Sequence, residues 1–213
     1  EFIVIKFFFI ICQLLGYRFS SDLGFYIGKT FGNIFRKKTS IIENLKKSKI
    51  SIDISENEFA KNVLGNYGRI LAEYPFLKDF RNNNLSNYIE IEGIDNLEKI
   101  KLKNKPVVFI SGHFNNFELM AMQIEKSEIN LAAIYRPLNN IFLNEDMEHI
   151  RKNYICKNQI KKGRTGTRQI LENLKKGNSI ALMIDQRVTE GIKINFFGDL
   201  ASTTTIPAQI VKK

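Results

Sequence analysis

The chain has 213 residues, and its 32 Lys and Arg against 22 Asp and Glu give a net charge of +10. At roughly 150 residues per domain, this length fits one domain or one domain with an appendage. A composition with 44% hydrophobic and 25% charged residues excludes wholesale disorder. Two cysteines exclude a disulfide-dense scaffold, and two histidines argue against a Cys/His zinc site. The excess of positive charge predicts an anionic partner, which is a nucleic acid, a phospholipid or an acidic protein.

The N-terminal residues predict contact with a membrane. Residues 2–17 are almost wholly apolar, but Lys6 interrupts them and they are fewer than the ~20 that a spanning helix needs. An amphipathic stretch from Leu23 to Phe35 follows, and then the basic cluster Arg36-Lys37-Lys38. Apolar helices flanked by Lys and Arg suit the headgroup region of an anionic membrane. We therefore predict membrane-associated helices in residues 1–38, with a buried core helix as the alternative.

Residues 39–213 predict a single α/β domain. Capping boxes at Ser40 and Ser55 open two helices, and alternating strand and helix patterns follow. This alternation predicts a mostly parallel sheet flanked by helices, with the ligand site where the strands end. Because the chain begins with Glu1 and stops inside a helical pattern, we expect the domain to be truncated at its C-terminus. The predicted strands are Tyr88–Glu92, Val107–Ile110, Leu131–Tyr135 and Ile180–Ile184, and the predicted helices between them are Asn96–Leu102, Asn116–Lys126, Phe142–Asn153 and Thr167–Lys176.

The best candidate for chemistry is the segment Ser111–Glu118, which follows a predicted strand and opens a helix. Gly112 permits a tight turn, which places His113 at the C-terminal end of the strand. Glu118 comes five residues later, a spacing that lets its carboxylate fold back toward the imidazole. A carboxylate on one ring nitrogen fixes the tautomer and leaves the other nitrogen to accept a proton, as a general base does. Taken alone, this spacing is a weak signal, and a loop histidine is more often structural.

Three further clusters follow predicted strands or open a helix. In Tyr135-Arg136-Pro137 the guanidinium of Arg136 can form a bidentate pair of hydrogen bonds with a phosphate or a carboxylate. The glycines, arginine and hydroxyls of Lys161–Thr167 suit an anion cradle before a helix. Asp185-Gln186 comes directly after an apolar strand. The alternatives are a surface arginine in the first cluster and a helix N-cap in the second.

Short motifs occur in a recognisable order along the chain. They are Gly-His-Phe-x-x-x-Glu from Gly112, Tyr-Arg-Pro from Tyr135, Arg-x-Gly-x-x-x-x-Leu from Arg164, Leu-Lys-Lys-Gly from Leu174, Asp-Gln from Asp185, Phe-Phe-Gly from Phe196 and Ala-x-Thr-x-Thr from Ala201. In this order they resemble the lipid A biosynthesis late acyltransferases, the lauroyl and myristoyl transferases of Gram-negative inner membranes. That family belongs to the lysophospholipid acyltransferase superfamily. The resemblance covers about Asn44 to Lys213, and the ordered set is far more specific than any one motif.

The resemblance implies a glycerol-phosphate-acyltransferase-like fold and transfer of an acyl chain from acyl-acyl carrier protein to a hydroxyl of a lipid A precursor. It matches His113 to the catalytic histidine of the family, a general base, and Glu118 to its acidic partner. It implies binding or supporting roles for Arg136, Arg151, Arg164, Gly166 and Asp185. The expected partners are acyl carrier protein, the lipid A precursor and phospholipid of the inner membrane, on its cytoplasmic side. No metal or redox cofactor and no nucleic acid are expected.

The chain departs from the family pattern in two places. Asn115-Asn116 replaces more apolar residues between the histidine and the glutamate, and the region after Asp185 is shorter than usual. Glu118 favours the lipid A branch, since glycerol-phosphate acyltransferases usually carry Asp at this position. A glycerophospholipid acyltransferase with the same chemistry is one alternative function. A non-catalytic basic protein of the membrane surface is another.

Overall fold

The computed structural model describes residues 2–189 and 191–212, and of Arg164 it describes the backbone alone. The chain folds into two compact units. The first comprises Ile3–Phe76 together with Lys193–Ser202, and the second comprises Leu77–Ile192 together with Thr203–Lys213. The division predicted after residue 38 concerned membrane association, and it stays a prediction.

Two consecutive helices open the first unit, α1 (Phe2–Leu15) and α2 (Tyr17–Phe35). Gly16 alone separates them, with a φ of 79° that glycine adopts without strain. The Ser20 hydroxyl donates to the carbonyl of Cys12 at 2.7 Å across this bend. Over the part of the chain that the structure describes, none of the helices is long and apolar enough to cross a membrane.

The first unit also contains two further helices and a hairpin. The Ser55 hydroxyl accepts the N–H of Glu58 at 3.2 Å, so the predicted cap at Ser55 is confirmed. The predicted cap at Ser40 was wrong, because the N–H of Lys38 already bonds to the side chain of Asn33 at 3.0 Å and the helix begins there. These elements are α3 (Lys38–Ser48), α4 (Glu56–Glu73), β5 (Ile192–Phe196) and β6 (Asp199–Thr203).

Helices α2 and α4 pack with their backbones almost in contact. A Cβ added at Gly24 would lie 2.5 Å from the carbonyl oxygen of Gly68 and 2.5 Å from the Cβ of Ala72. Only a residue without a side chain fits at such a crossing. Close approach lets dispersion contacts extend along the whole helix pair.

We expect Gly24→Ala to destabilise the first unit by about 1–3 kcal/mol, the usual cost of overpacking a core. The added methyl group would press on backbone atoms, which cannot move aside as a flexible side chain can. Urea unfolding followed by circular dichroism measures the effect. Thr30→Ala, at an exposed position of the same helix, is the matched control and is expected to change the unfolding free energy by less than about 0.5 kcal/mol. Equal unfolding midpoints for the two variants would contradict this account of the crossing.

The second unit contains the predicted parallel sheet. Its strands are β1 (Val108–Ser111), β2 (Leu131–Tyr135), β3 (Asn158–Lys161) and β4 (Ser179–Met183). Their order is β1-β4-β2-β3, and every pair is parallel, so the predicted α/β class is confirmed. The helices are α5 (Leu77–Arg81), α6 (Ile94–Lys103), α7 (Glu118–Lys126), α8 (Ile141–Ile150), α9 (Arg164–Lys175) and α10 (Ile206–Val211).

One predicted strand does not form in the structure, and one strand of the structure was not predicted. Residues 89–92 alternate in polarity but form no strand, and Ser86–Tyr88 before them is a 3₁₀ turn. Alternation alone does not make a strand, because the backbone also needs a partner to bond with. Strand β3, with the sequence Asn-Gln-Ile-Lys, was missed because Ile160 is its only apolar residue.

Helices α9 and α10 cover the sheet with a continuous apolar core. Ile170 of α9 and Ile210 of α10 pack against buried side chains of three strands, which are Ala132, Ile160, Ile180 and Leu182. Burying each large aliphatic side chain contributes roughly 1.5–3 kcal/mol, so this core holds the helices firmly on the strands. The carboxyl ends of the strands are thereby fixed relative to one another.

Candidate active site

His113 and Asp185 meet because their strands are neighbours in the sheet. Strands β1 and β4 pair with Ser111 opposite Met183. Two residues beyond that pair, the chain reaches His113 after one strand and Asp185 after the other. Parallel neighbours carry their C-terminal residues to the same edge, where ligands bind in sheets of this kind.

The carboxylate of Asp185 contacts His113 at two points. Its Oδ1 lies 2.8 Å from the imidazole Nδ1, and its Oδ2 accepts the backbone N–H of His113 at 2.7 Å. Burial raises the pKa of Asp185, but the hydrogen bonds from the backbone and ring of His113 outweigh burial and hold this pKa below its usual value. An imidazole that donates its Nδ1 proton to a carboxylate keeps a lone pair on Nε2, so it can serve as a base there. The side-chain nitrogen of Gln186 lies 3.4 Å from that Nε2.

The structure corrects the predicted partner of His113. The sequence assigned that role to Glu118, whereas the imidazole contacts Asp185. Glu118 is the first residue of α7, and only 8% of its side chain is exposed. Its Oε1 accepts the Nε proton of Arg151 at 2.9 Å and lies 2.8 Å from Nη2 of the same guanidinium. A carboxylate removed from water needs a compensating cation, and Arg151 supplies it.

Arg151 begins a single π-helical turn, Arg151–Ile155, that follows α8. The N–H of Cys156 closes this turn on the carbonyl of Arg151 at 2.9 Å. Such turns are rare and are frequently found at functional sites. The guanidinium also lies over the ring of Tyr135, with its Cζ 5.6 Å from the ring centre. The sequence predicted an uninterrupted helix here and carried no sign of the turn.

A cavity of about 510 Å³ opens at this edge of the sheet. His113, Glu118, Arg136 and Arg151 all line it. Polar groups set in a mostly apolar wall of this volume are typical of sites that bind small molecules. The apolar wall includes Phe109, Met120, Ala133, Leu138, Met183 and Val188.

The loop that carries His113 depends on an unusual backbone conformation. Asn115 has a φ of 41°, in the left-handed region, and asparagine tolerates that region better than most residues do. The carbonyl of Asn115 then accepts the N–H of Phe117 at 3.0 Å. The Phe117 ring meets the imidazole edge to face, with ring centres 4.7 Å apart. The departure from the family pattern at Asn115 therefore has a conformational explanation.

The remaining predicted residues lie around the ends of β2 and β3. Arg136 is exposed and lines the cavity together with Lys162. Gly166 is buried, and a Cβ there would lie 2.5 Å from the carbonyl oxygen of Lys161, so the glycine lets α9 begin close against β3. The side chain of Arg164 lies outside the described residues.

The family model of the bacterial lipid A biosynthesis acyltransferases matches residues 1–213. The chain belongs to this family. It is similar to the lipid A biosynthesis palmitoleoyltransferase of Escherichia coli (strain K12) and to the lipid A biosynthesis acyltransferase of Shigella flexneri, with 24% identity to each over 168 residues. These matches cover 76% of this chain and 53% of each relative, so the chain spans about half the length of the curated relatives it matches. The family resemblance drawn from the motifs is confirmed.

The sequence of this acyltransferase did not predict the carboxylate of Glu148 near the site. Glu148 on α8 lies 2.9 Å from the Lys161 Nζ and accepts a hydrogen bond from the side chain of Asn144 at 2.7 Å. The ammonium of Lys161 has the largest effect and, against the effect of burial, it lowers the pKa of Glu148 to about 2 together with the neighbouring Tyr135 and Asn144 side chains. Burial, followed by the nearby Glu148 carboxylate, raises the pKa of Tyr135. The cluster therefore keeps one ionised carboxylate and one protonated phenol.

We expect acid to weaken the fold partly through Glu148. Its pKa falls from 4.5 to about 2 on folding, so its ionised form stabilises the fold above about pH 4.5, and this stabilisation is lost as the pH falls toward about 2. At about 1.4 kcal/mol for each pKa unit, the contribution is on the order of 3 kcal/mol. Urea unfolding of wild type and Glu148→Gln at several pH values measures it, and the difference in unfolding free energy is expected to shrink on acidification. A difference that stays constant down to about pH 2.5 would refute the assignment.

Proposed function

We propose that the protein transfers a fatty acyl group from a thioester on acyl carrier protein to a hydroxyl of a lipid A precursor. Family membership supports acyl transfer in lipid A biosynthesis. The observation that carries the proposal is the imidazole of His113, which Asp185 holds at Nδ1 over 2.8 Å and which lines the cavity. A base beside an apolar wall suits a hydroxyl group carried on, or next to, an acyl chain.

His113 acts as a general base at Nε2. It accepts the proton of the acceptor hydroxyl while that oxygen attacks the carbonyl carbon of the thioester. A C–O bond forms and the C–S bond breaks, and the imidazolium then returns the proton to the departing thiolate. The acceptor leaves as an ester and the carrier leaves as a free thiol. Asp185 stabilises the imidazolium between the two proton transfers.

Neither cysteine suits an acyl-enzyme intermediate. Burial, aided by the nearby charge of Glu125, raises the pKa of Cys156 to about 12. Burial also raises the pKa of Cys12. Because the thiolate is the nucleophilic form, a raised pKa argues against either thiol as the nucleophile at neutral pH. Direct attack by the acceptor oxygen on the activated thioester needs no covalent step on the protein.

The charged residues of the cavity divide into two roles in this proposal. Glu118 and Arg151 are committed to each other at 2.9 Å, so we assign this pair to the wall of the acceptor site and not to proton transfer. Arg136 and Lys162 line the cavity and are exposed. A guanidinium and an ammonium group at that position suit a phosphate on the acceptor. An acidic carrier protein is also attracted to a chain with a net charge of +10.

We expect His113→Ala and Asp185→Asn each to lower the rate of acyl transfer by roughly 10²–10⁴-fold, the range for losing a positioned base. Asp185→Asn removes the charge that stabilises the imidazolium, while a side chain of the same size remains. Asp95→Asn, which alters an exposed ion pair with Lys99, is the matched control and should retain the wild-type rate. Release of free thiol from acyl-acyl carrier protein, with a lipid A precursor as acceptor, gives the rate.

Two outcomes would overturn this function. If His113→Ala transferred acyl groups at the wild-type rate, His113 could not be the general base. Faster transfer to glycerol phosphate than to the lipid A precursor would favour the glycerophospholipid alternative. Mass spectrometry of lipid A, after expression in a bacterium that lacks its own late acyltransferases, tests the acceptor in cells.

We also propose that α1 lies in the cytoplasmic surface of the inner membrane. Ile3, Phe7, Ile10 and Leu14 are exposed at the spacing of one helix face. An exposed apolar face in a chain that also carries the basic cluster Arg36-Lys37-Lys38 suits an anionic phospholipid surface.

We expect Phe7→Glu to lower the fraction of protein that floats with vesicles containing anionic phospholipid, because a charge would replace an apolar side chain on that face. Gln13→Glu adds the same charge at an exposed polar position of α1 and is the matched control, with a smaller expected loss. Equal losses in the two variants would argue for general electrostatic binding and against a specific apolar face.

A further inference from the structure

The side-chain amide of Gln186 faces the imidazole nitrogen of His113 that Asp185 does not hold. The amide nitrogen lies 3.4 Å from Nε2, while Asp185 holds Nδ1 at 2.8 Å. Because the carboxylate accepts the proton of Nδ1, Nε2 carries a lone pair and the amide donates to it. Gln186 also lines the cavity. A hydrogen-bond donor therefore lies beside the nitrogen at which the proposed proton transfer takes place.

The pairing of β1 with β4 determines where Gln186 lies. The N–H of Ile184 donates to the carbonyl of Ser111 at 3.0 Å, one residue beyond the end of β4 as paired with β1. The next residue, Asp185, is bonded to both the ring and the backbone N–H of His113. Gln186 follows directly, so its backbone is held close to the imidazole. Its side chain is exposed and can rotate toward a bound substrate.

Attack of a hydroxyl on a thioester requires a donor for the negative charge that develops on the carbonyl oxygen. The backbone N–H groups of His113 and Phe114 are already bonded within the protein, at 2.7 and 2.9 Å. The guanidinium of Arg151 binds Glu118 at 2.9 Å, and the side-chain amide of Gln159 donates to a backbone carbonyl at 2.8 Å. These groups have partners inside the protein. The partner of the Gln186 amide is instead the nitrogen at which the acceptor hydroxyl itself must bind.

We propose that Gln186 is a catalytic residue that donates its side-chain N–H to the oxyanion of the tetrahedral intermediate. The inference rests on the proposed acyl transfer. The acceptor hydroxyl displaces the amide from Nε2, and the released N–H then lies beside the thioester carbonyl. As the C–O bond forms, the π electrons of the carbonyl move to its oxygen, and the amide stabilises that charge. When the C–S bond breaks, the charge leaves on the thiolate, which takes the proton from the imidazolium.

The kinetic test uses the purified full chain, an acyl-acyl carrier protein donor and a lipid A precursor as acceptor. Gln186→Leu keeps a side chain of similar size without a donor, and it is expected to lower kcat roughly 10²–10³-fold, as loss of one oxyanion donor does. KM for the donor should change less, because the bond to the oxyanion forms only in the transition state. Gln169→Leu, the same exchange at an exposed position of α9, is the matched control and should behave as wild type.

An isosteric carboxylate separates charge stabilisation from packing. Gln186→Glu keeps the shape of the side chain, but it removes the donor and adds a negative charge that opposes an oxyanion. It should therefore be at least as slow as Gln186→Leu. A wild-type rate in either variant would overturn the role of Gln186 and leave the proposed function standing. A wild type that transfers no acyl group would refute the proposed function, and the role of Gln186 with it.

A chemical readout tests the contact with His113 without any acyl transfer. Diethyl pyrocarbonate modifies unprotonated imidazole nitrogens, and mass spectrometry distinguishes His113 from His149, which is exposed and serves as the internal reference. Relative to His149, His113 should react several-fold faster in Gln186→Leu than in wild type or Gln169→Leu, because the amide no longer occupies the Nε2 lone pair. Equal ratios in all three proteins would overturn the proposal, since the contact that carries it would be absent in solution.

Discussion

The parallel pairing of β1 with β4 is the constraint on which the proposed chemistry depends. It brings together His113 and Asp185, which lie 72 positions apart in the sequence and meet at 2.8 Å. The pairing of Ser111 with Met183 in the strand register determines where both loops leave the sheet, so the two loops begin next to each other. The apolar core beneath the strands therefore supports the tautomer of a single imidazole at the surface. Stability and function are linked here through the sheet.

The fold was predictable where burial leaves a trace in the local sequence. Strands β2 and β4 appear as apolar runs because both of their faces are covered, and the structure places them within one or two residues of the expected positions. Strand β3 has a single buried side chain, Ile160, so its sequence carries no such run. The order of the strands also leaves no local trace, since it depends on which crossovers the helices make. For that reason the residues at the sheet edge could be predicted but their neighbours could not.

In the candidate site, too, the sequence predicted which residues lie there better than it predicted which side chains contact each other. The motifs predicted His113 and Glu118 as a catalytic pair, and in the structure both line one cavity. The spacing of five residues suggested a direct contact, yet spacing along a helix says nothing about burial. Once α7 buries the carboxylate, the strongest available partner is a guanidinium, and Arg151 reaches it from 33 residues away. Asp185 remains partly exposed, with 41% of its side chain accessible, and takes the place beside the imidazole.

These pairings show where part of the excess positive charge of the chain lies. Two acids near the edge of the sheet have cationic partners, since Glu118 binds Arg151 and Glu148 binds Lys161, while Asp185 holds the imidazole of His113. Arg136 and Lys162 meanwhile present exposed charge to the cavity. Cations inside a cleft attract anions more strongly than the same charges on an open, solvated surface do. A count of charges in the sequence cannot reveal this, since it weighs a buried, paired arginine equally with an exposed one.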